Sequence, residues 1–113
     1  MSAPKPEYVV ERGPSSRAWI LRGVIRLESA EAYARAFGPL EAAAAQPGDI
    51  TIDISSVVFL NSSGIRALAD VLLAARRNGG RVTLFGSAAV PWQKKLALSF
   101  TGLFPEFEIR LDR

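Results

Sequence analysis

Asn61-Ser62-Ser63-Gly64 is the stretch of this chain whose residue types could do chemistry. Two hydroxyls and a glycine sit where an apolar run, Val57-Val58-Phe59-Leu60, gives way to a helical pattern opened by Ile65 and Leu68. The first N–H groups of a helix have no intrahelical partner and form the positive end of its dipole, so such a junction can hold an anion. A serine there can become that anion, because a phosphate adds a charge of about −1.5 to −2 and three acceptor oxygens. Within the stretch, Ser63 suits the N-cap of a helix beginning at Gly64, a role worth roughly 1 kcal/mol. Ser62 lies one residue earlier in the connecting loop, less needed as a cap and freer to present its hydroxyl.

Other chemistries are excluded by what the chain lacks. It has no cysteine and no histidine, which removes disulfides, thiolate nucleophiles, His-ligated metal sites and any His-dependent triad. No Gly-x-Ser-x-Gly elbow, phosphate-binding Gly-x4-Gly-Lys-Ser/Thr loop or Gly-x-Gly-x-x-Gly turn occurs. Glu41, Asp53, Asp70 and Glu106 form no recognisable acid/base pair. The expectation is a binding module with no catalytic residues, no metal and no cofactor, rather than an enzyme.

A length of 113 residues fits one domain, and 49% apolar content suffices for a core. The net charge of +3 comes from scattered arginines and lysines, of which Arg76-Arg77 with Arg81, and Lys94-Lys95, are the tightest groups. These read as solvated surface rather than a nucleic-acid stripe. The N-terminus MSAPKPEY carries no apolar signal region, and no apolar run approaches the ~20 residues that span a bilayer. A cytoplasmic protein without membrane insertion is expected, with residues 1–6 as a loose tail.

The elements that must position the junction follow from periodicity. Residues 7–11 and 18–27 read as an antiparallel hairpin across Gly13-Pro14, with Gly23 as a bend or bulge. Ser29 caps a helix through about residue 45, with Tyr33, Ala36, Phe37, Leu40 and Ala44 as its buried stripe and a kink or break at Pro39. Ile50, Ile52 and Ile54 alternate in a strand whose Thr51 and Asp53 face the other way. A second helix over 63–78 buries Ile65, Leu68, Ala69, Leu72 and Leu73, and Gly79-Gly80 ends it. A strand over 81–85, a helix over 88–101 with Trp92 in the core and Gly102 as its terminator, and a strand over 107–111 complete the chain. The order β-β-α-β-α-β-α-β predicts an α/β domain with a mixed sheet of about five strands packed by helices.

The run from Ile52 to Ile65, with Asp53, Val57-Val58 and Asn61-Ser62-Ser63-Gly64, resembles the signature of the STAS family, the sulphate transporter and anti-sigma factor antagonist domains. Gly79-Gly80-Arg81-Val82-Thr83-Leu84 and Leu98-Ser99-Phe100-Thr101-Gly102-Leu103-Phe104 resemble its later segments, and Leu21-Arg22-Gly23-Val24-Ile25 matches weakly, so the likeness covers nearly all of residues 1–113. The resemblance implies an anti-sigma factor antagonist of a bacterial partner-switching pathway that regulates transcription. Ser62 would accept phosphate from an anti-sigma factor that is a serine kinase of the histidine-kinase-like type, and a phosphatase would remove it. Asn61, Ser63 and Gly64 would form the switch loop, with Asp53 as a structural residue nearby. Asn61 stands where the family carries aspartate, keeping the shape and losing the charge. That departure leaves open a phosphorylation-independent STAS module, a scaffold or a subunit of a membrane transport machine. A nucleotide-binding sensor is a third reading, opposed by the missing phosphate loop. A homodimer stays open. The partner surface is expected on the second helix, where Ala67, Val71 and Ala74 flanked by Arg66 and Asp70 either form a patch for a partner helix or pack on a neighbouring helix.

Overall fold

The computed structural model describes residues 7–15 and 17–111, so the tail expected at 1–6 lies outside the described residues. Eight elements follow in the expected order: β1 (Tyr8–Arg12), β2 (Ala18–Ile25), α1 (Ala30–Ala44), β3 (Asp49–Leu60), α2 (Ser62–Arg77), β4 (Arg81–Gly86), α3 (Pro91–Leu103) and β5 (Glu108–Leu111). The strands form one sheet in the order β1-β2-β3-β4-β5, with β1 antiparallel to β2 and the remaining pairs parallel. Parallel neighbours need crossovers, and three right-handed crossovers stepping in one direction carry all three helices to one face. Burial agrees: Leu21, Ile50, Ile52, Ile54, Val82 and Leu84 are buried, whereas Thr51, Asp53, Thr83 and Phe85 on the opposite face are half-exposed.

Local chemistry shapes the strands near the site. Gly23 has φ +92, and a Cβ there would lie 2.1 Å from the Glu7 carbonyl oxygen, so only glycine lets β1 approach. The β2–β3 register slips twice, between Ile20 and Arg22 and between Gly23 and Val24. At the first slip Asp53 accepts hydrogen bonds from Ser55 N (2.9 Å) and Ser55 Oγ (2.5 Å). Gln93, 1% exposed, donates from Nε2 to the carbonyls of Ile54 (2.8 Å) and Val57 (2.9 Å) and accepts from Ser87 N (2.7 Å). The slips re-phase the strand: Val57 and Leu60 turn inward while Val58 and Phe59 face solvent.

The break expected at Pro39 and the stop expected at Gly102 do not occur. α1 runs unbroken through Pro39. Arg35 and Pro39 lie on the exposed side, where water can satisfy the freed carbonyl, while Phe37, Leu40 and Ala44 pin the last two turns into the core. α3 begins with Pro91 in its first turn and continues through Gly102 to a C-cap at Phe104. The rings of Phe100, Phe104 and Phe107 pack in sequence, with centroids 5.6 and 5.7 Å apart, and the helix runs two residues beyond the expected stop, to Leu103. Arg17, expected as solvated surface, instead ties the end of α1 to the start of β3 through hydrogen bonds to the carbonyls of Ala43 (2.6 Å), Gly48 (3.2 Å) and Asp49 (3.0 Å).

Candidate functional site

β3 delivers the chain to the edge of the helical layer at Leu60, and the next residue starts α2. The helix N-cap is Asn61, in extended conformation, not Ser63 as expected. Asn61 Oδ1 accepts from Gly64 N at 2.9 Å, which satisfies one of the orphan donors of the first turn. The tertiary surroundings select Asn61 for this role. Tyr33 Oη on α1 hydrogen-bonds Asn61 Oδ1, and Asn61 Nδ2 donates to the Leu27 carbonyl at 3.3 Å. The same Tyr33 hydroxyl accepts from Leu27 N at 3.1 Å and lies 3.2 Å from the Ile25 carbonyl oxygen. Residue 61 must therefore both accept and donate, which a neutral amide does. An ionised aspartate would set a second oxygen against the Leu27 carbonyl.

Gly64 is buried, and a Cβ there would come within 2.3 Å of Leu60 Cδ1 and 2.9 Å of Tyr33 Oη. The missing side chain lets the first turn of α2 seat directly on Leu60 and Tyr33. With the cap supplied by Asn61, Ser62 and Ser63 become the first two helical residues, both exposed. Neither hydroxyl has a hydrogen-bond partner among the described residues. The first turn of α2 carries no acidic residue, so the positive end of its dipole meets no side-chain counter-charge there.

Two hollows flank α2. One, of about 480 Å³, lies toward α1 and is lined by Tyr33, Phe37, Glu41, Ser63, Ala67 and Asp70. The other, of about 440 Å³, lies toward α3 and is lined by Ser62, Ile65, Ala69, Trp92, Lys95 and Leu103 among others. Arg66 borders both. A third hollow, of about 540 Å³ around Arg76, Arg81 and Glu106, includes Asp49 at the start of β3. Arg76 lies fourteen residues beyond Ser62 on α2, about 21 Å at helical rise, which is too far for this hollow to act with it.

The expected partner patch divides. Arg66 and Asp70 are exposed and Ala67 is half-buried, all three bordering the hollow toward α1. Val71 and Ala74, 0% and 7% exposed, point inward and cannot meet a partner; the packing alternative holds for both, with Val71 in the central apolar cluster. Asp53 does not reach the Asn61–Gly64 loop; it sits at the slip in β3, eight residues before Asn61. Sequence reasoning missed Tyr33 as the lock on Asn61, although a tyrosine on a buried stripe signals a hydroxyl that needs a partner. It also missed Lys95 and Trp92 as neighbours of Ser62. Trp92 is only half-buried, and its Nε1 donates to the Val58 carbonyl at 2.9 Å.

Among the described residues no group of histidine, cysteine, aspartate and glutamate could hold a metal ion, and no helix is long and apolar enough to cross a membrane. The family model described as the STAS domain matches residues 20–113. No curated protein matches the chain.

Proposed function

The chain belongs to the STAS family, and from that premise we propose that it is a regulatory protein-binding module, an anti-sigma factor antagonist switched by reversible phosphorylation of Ser62. The observation that carries this reading is the division of labour at the junction. Asn61 does the capping, which leaves the exposed Ser62 hydroxyl unengaged among the described residues at a helix start with no acidic side chain. In the modification step Ser62 Oγ attacks the terminal phosphorus of ATP held by the partner kinase. The Oγ–P bond forms, the bond to ADP breaks, and the hydroxyl proton passes to solvent or a base of the kinase. A phosphatase reverses the state by hydrolysis. The chain itself acts by binding and not by catalysis, in the cytoplasm where ATP and the sigma factor are.

The unphosphorylated form would hold the anti-sigma kinase and so free the sigma factor. A phosphate adds a charge of about −1.5 to −2 to the contact surface. Weakening the complex a hundredfold requires about 2.7 kcal/mol, within reach of such a charge. Incubation with the cognate kinase and ATP should add one phosphate, seen by intact-mass spectrometry, which Ser62→Ala abolishes and Ser63→Ala keeps. An unchanged mass with active kinase would refute the switch. That result would leave the second reading, a STAS scaffold or transport-machine subunit working without phosphorylation. The neutral amide of Asn61, matched to the Leu27 carbonyl, favours this reading.

A further inference from the structure

The hollow between α2 and α3 differs in chemistry from the one toward α1. Its walls are Ile65 and Ala69 from α2 and Trp92, Phe100 and Leu103 from α3, with Ser62 at one end. Leu103 is 61% exposed, an apolar side chain left in water beside an apolar trough. Among the described residues its charged lining is Arg66 and Lys95, and no carboxylate borders it. Neither cation enters a salt bridge among the described residues. The hollow toward α1, by contrast, already sets Glu41 and Asp70 beside Arg66.

The α3 wall from Trp92 to Leu103 spans eleven residue steps, about 16 Å at helical rise, the length of a three-turn segment. An apolar floor of that length suits the apolar face of one amphipathic helix. Covering Arg66 and Lys95 with an uncharged partner would desolvate two unpaired cations, so the occupant must bring carboxylates. Ser62 and Arg66 are four residues apart on α2 and so share a face. A phosphate on Ser62 would stand at the mouth of the trough within reach of Arg66, with Lys95 across from it on α3.

We infer that the trough between α2 and α3 receives an amphipathic helix of a partner protein bearing carboxylates beside its apolar face, and that a phosphate on Ser62 closes the trough by engaging Arg66 and Lys95 in their place. The docking surface thus lies on the α3 side of α2. Closure follows from competition for the two cations.

Because the closing step rests on Ser62 being the modified residue, the test installs phosphoserine at position 62 during translation and uses no kinase. The probe is a fluorescein-labelled, stapled three-turn peptide with leucines along one face and flanking glutamates, compared with a twin whose flanks are lysines. By fluorescence anisotropy on the full chain, the glutamate peptide should bind at least about tenfold more tightly than its twin. Leu103→Glu, at an exposed position, should keep the circular-dichroism spectrum of the parent and weaken binding by about tenfold or more. Phosphoserine at 62 should do the same in the otherwise unaltered chain, yet change affinity less than about twofold in the Arg66→Gln, Lys95→Gln double variant. Absent binding, equal binding of the twins, or indifference to Leu103→Glu overturns the docking assignment. Displacement of the peptide by anionic lipid vesicles also overturns it, in favour of a membrane occupant. A full phosphoserine effect in the double variant overturns the closing mechanism. Failure of a kinase to modify Ser62 refutes the proposed switch alone and leaves the docking measurement standing.

Discussion

Substituting alanine for glycine inside a helix normally stabilises a protein by about 1 kcal/mol, because glycine has more backbone freedom to lose. Gly64→Ala should do the opposite. A Cβ at 64 would lie 2.3 Å from Leu60 Cδ1, 2.8 Å from Leu60 Cγ and 2.9 Å from Tyr33 Oη. Leu60 is 5% exposed and Tyr33 2%, so neither side chain can swing into solvent. Overpacking of this kind costs about 1–3 kcal/mol. A shift of Tyr33 would also loosen its bonds to Asn61 and Leu27, each worth about 1 kcal/mol. Setting the ~1 kcal/mol propensity gain against these terms gives a net loss of about 1–3 kcal/mol. Gly102→Ala is the matched control. Gly102 lies within α3, is exposed, and a Cβ there would meet nothing within 4 Å, so the propensity gain of about 0.5–1 kcal/mol should appear unopposed. Urea denaturation followed by circular dichroism reads both as shifts in midpoint at constant slope. Trimming the obstacle with Leu60→Val should recover part of the loss in a double-mutant cycle, because the two sites touch. A Gly64→Ala protein as stable as the parent, or an additive cycle, would refute the close-approach account of the switch loop.

The capping assignment predicts that Asn61→Ala lowers stability by about 0.5–2 kcal/mol, while Ser63→Ala stays within about 0.5 kcal/mol; equal effects in the same urea assay would return the cap to Ser63. Gln93→Leu leaves the carbonyls of Ile54 and Val57 and the N–H of Ser87 without their side-chain partner. It should cost about 2–3 kcal/mol and speed hydrogen exchange at Ser87, and unchanged exchange would show that Gln93 does not hold the strand slip.

Much of the architecture was legible in the chain because local rules and the tertiary fold agree. The alternation Ile50-Ile52-Ile54 and the helical stripe Tyr33-Phe37-Leu40-Ala44 are buried as their periods require. Gly23 marked a bulge, and its φ of +92 is one that a side chain rarely tolerates. Alternating elements then left little choice but parallel strands with helical crossovers. The candidate site was legible as a segment: two hydroxyls and a glycine between an apolar strand and an apolar helix.

The roles within that segment came from residues far along the chain. Asn61 and Ser63 are both good caps by composition. Tyr33 and Leu27, 28 and 34 residues away, decide between them. Val71 and Ala74 form a face of α2 by spacing alone, but only the packing of α1, β3 and β4 around that helix turns it into core. Gly102 reads as a stop until Phe104 and Phe107 close on Phe100. Lys95 and Trp92, some thirty residues beyond Ser62, become its neighbours because β4 returns the chain and sets α3 beside α2. Sequence by itself determined what one strand or one helix settles within its own few turns: element type, buried stripe and the placing of two serines at a strand-to-helix junction. Tertiary structure decided which of several locally equal groups is used, because that choice depends on hydrogen-bond partners and neighbours that folding alone brings within reach.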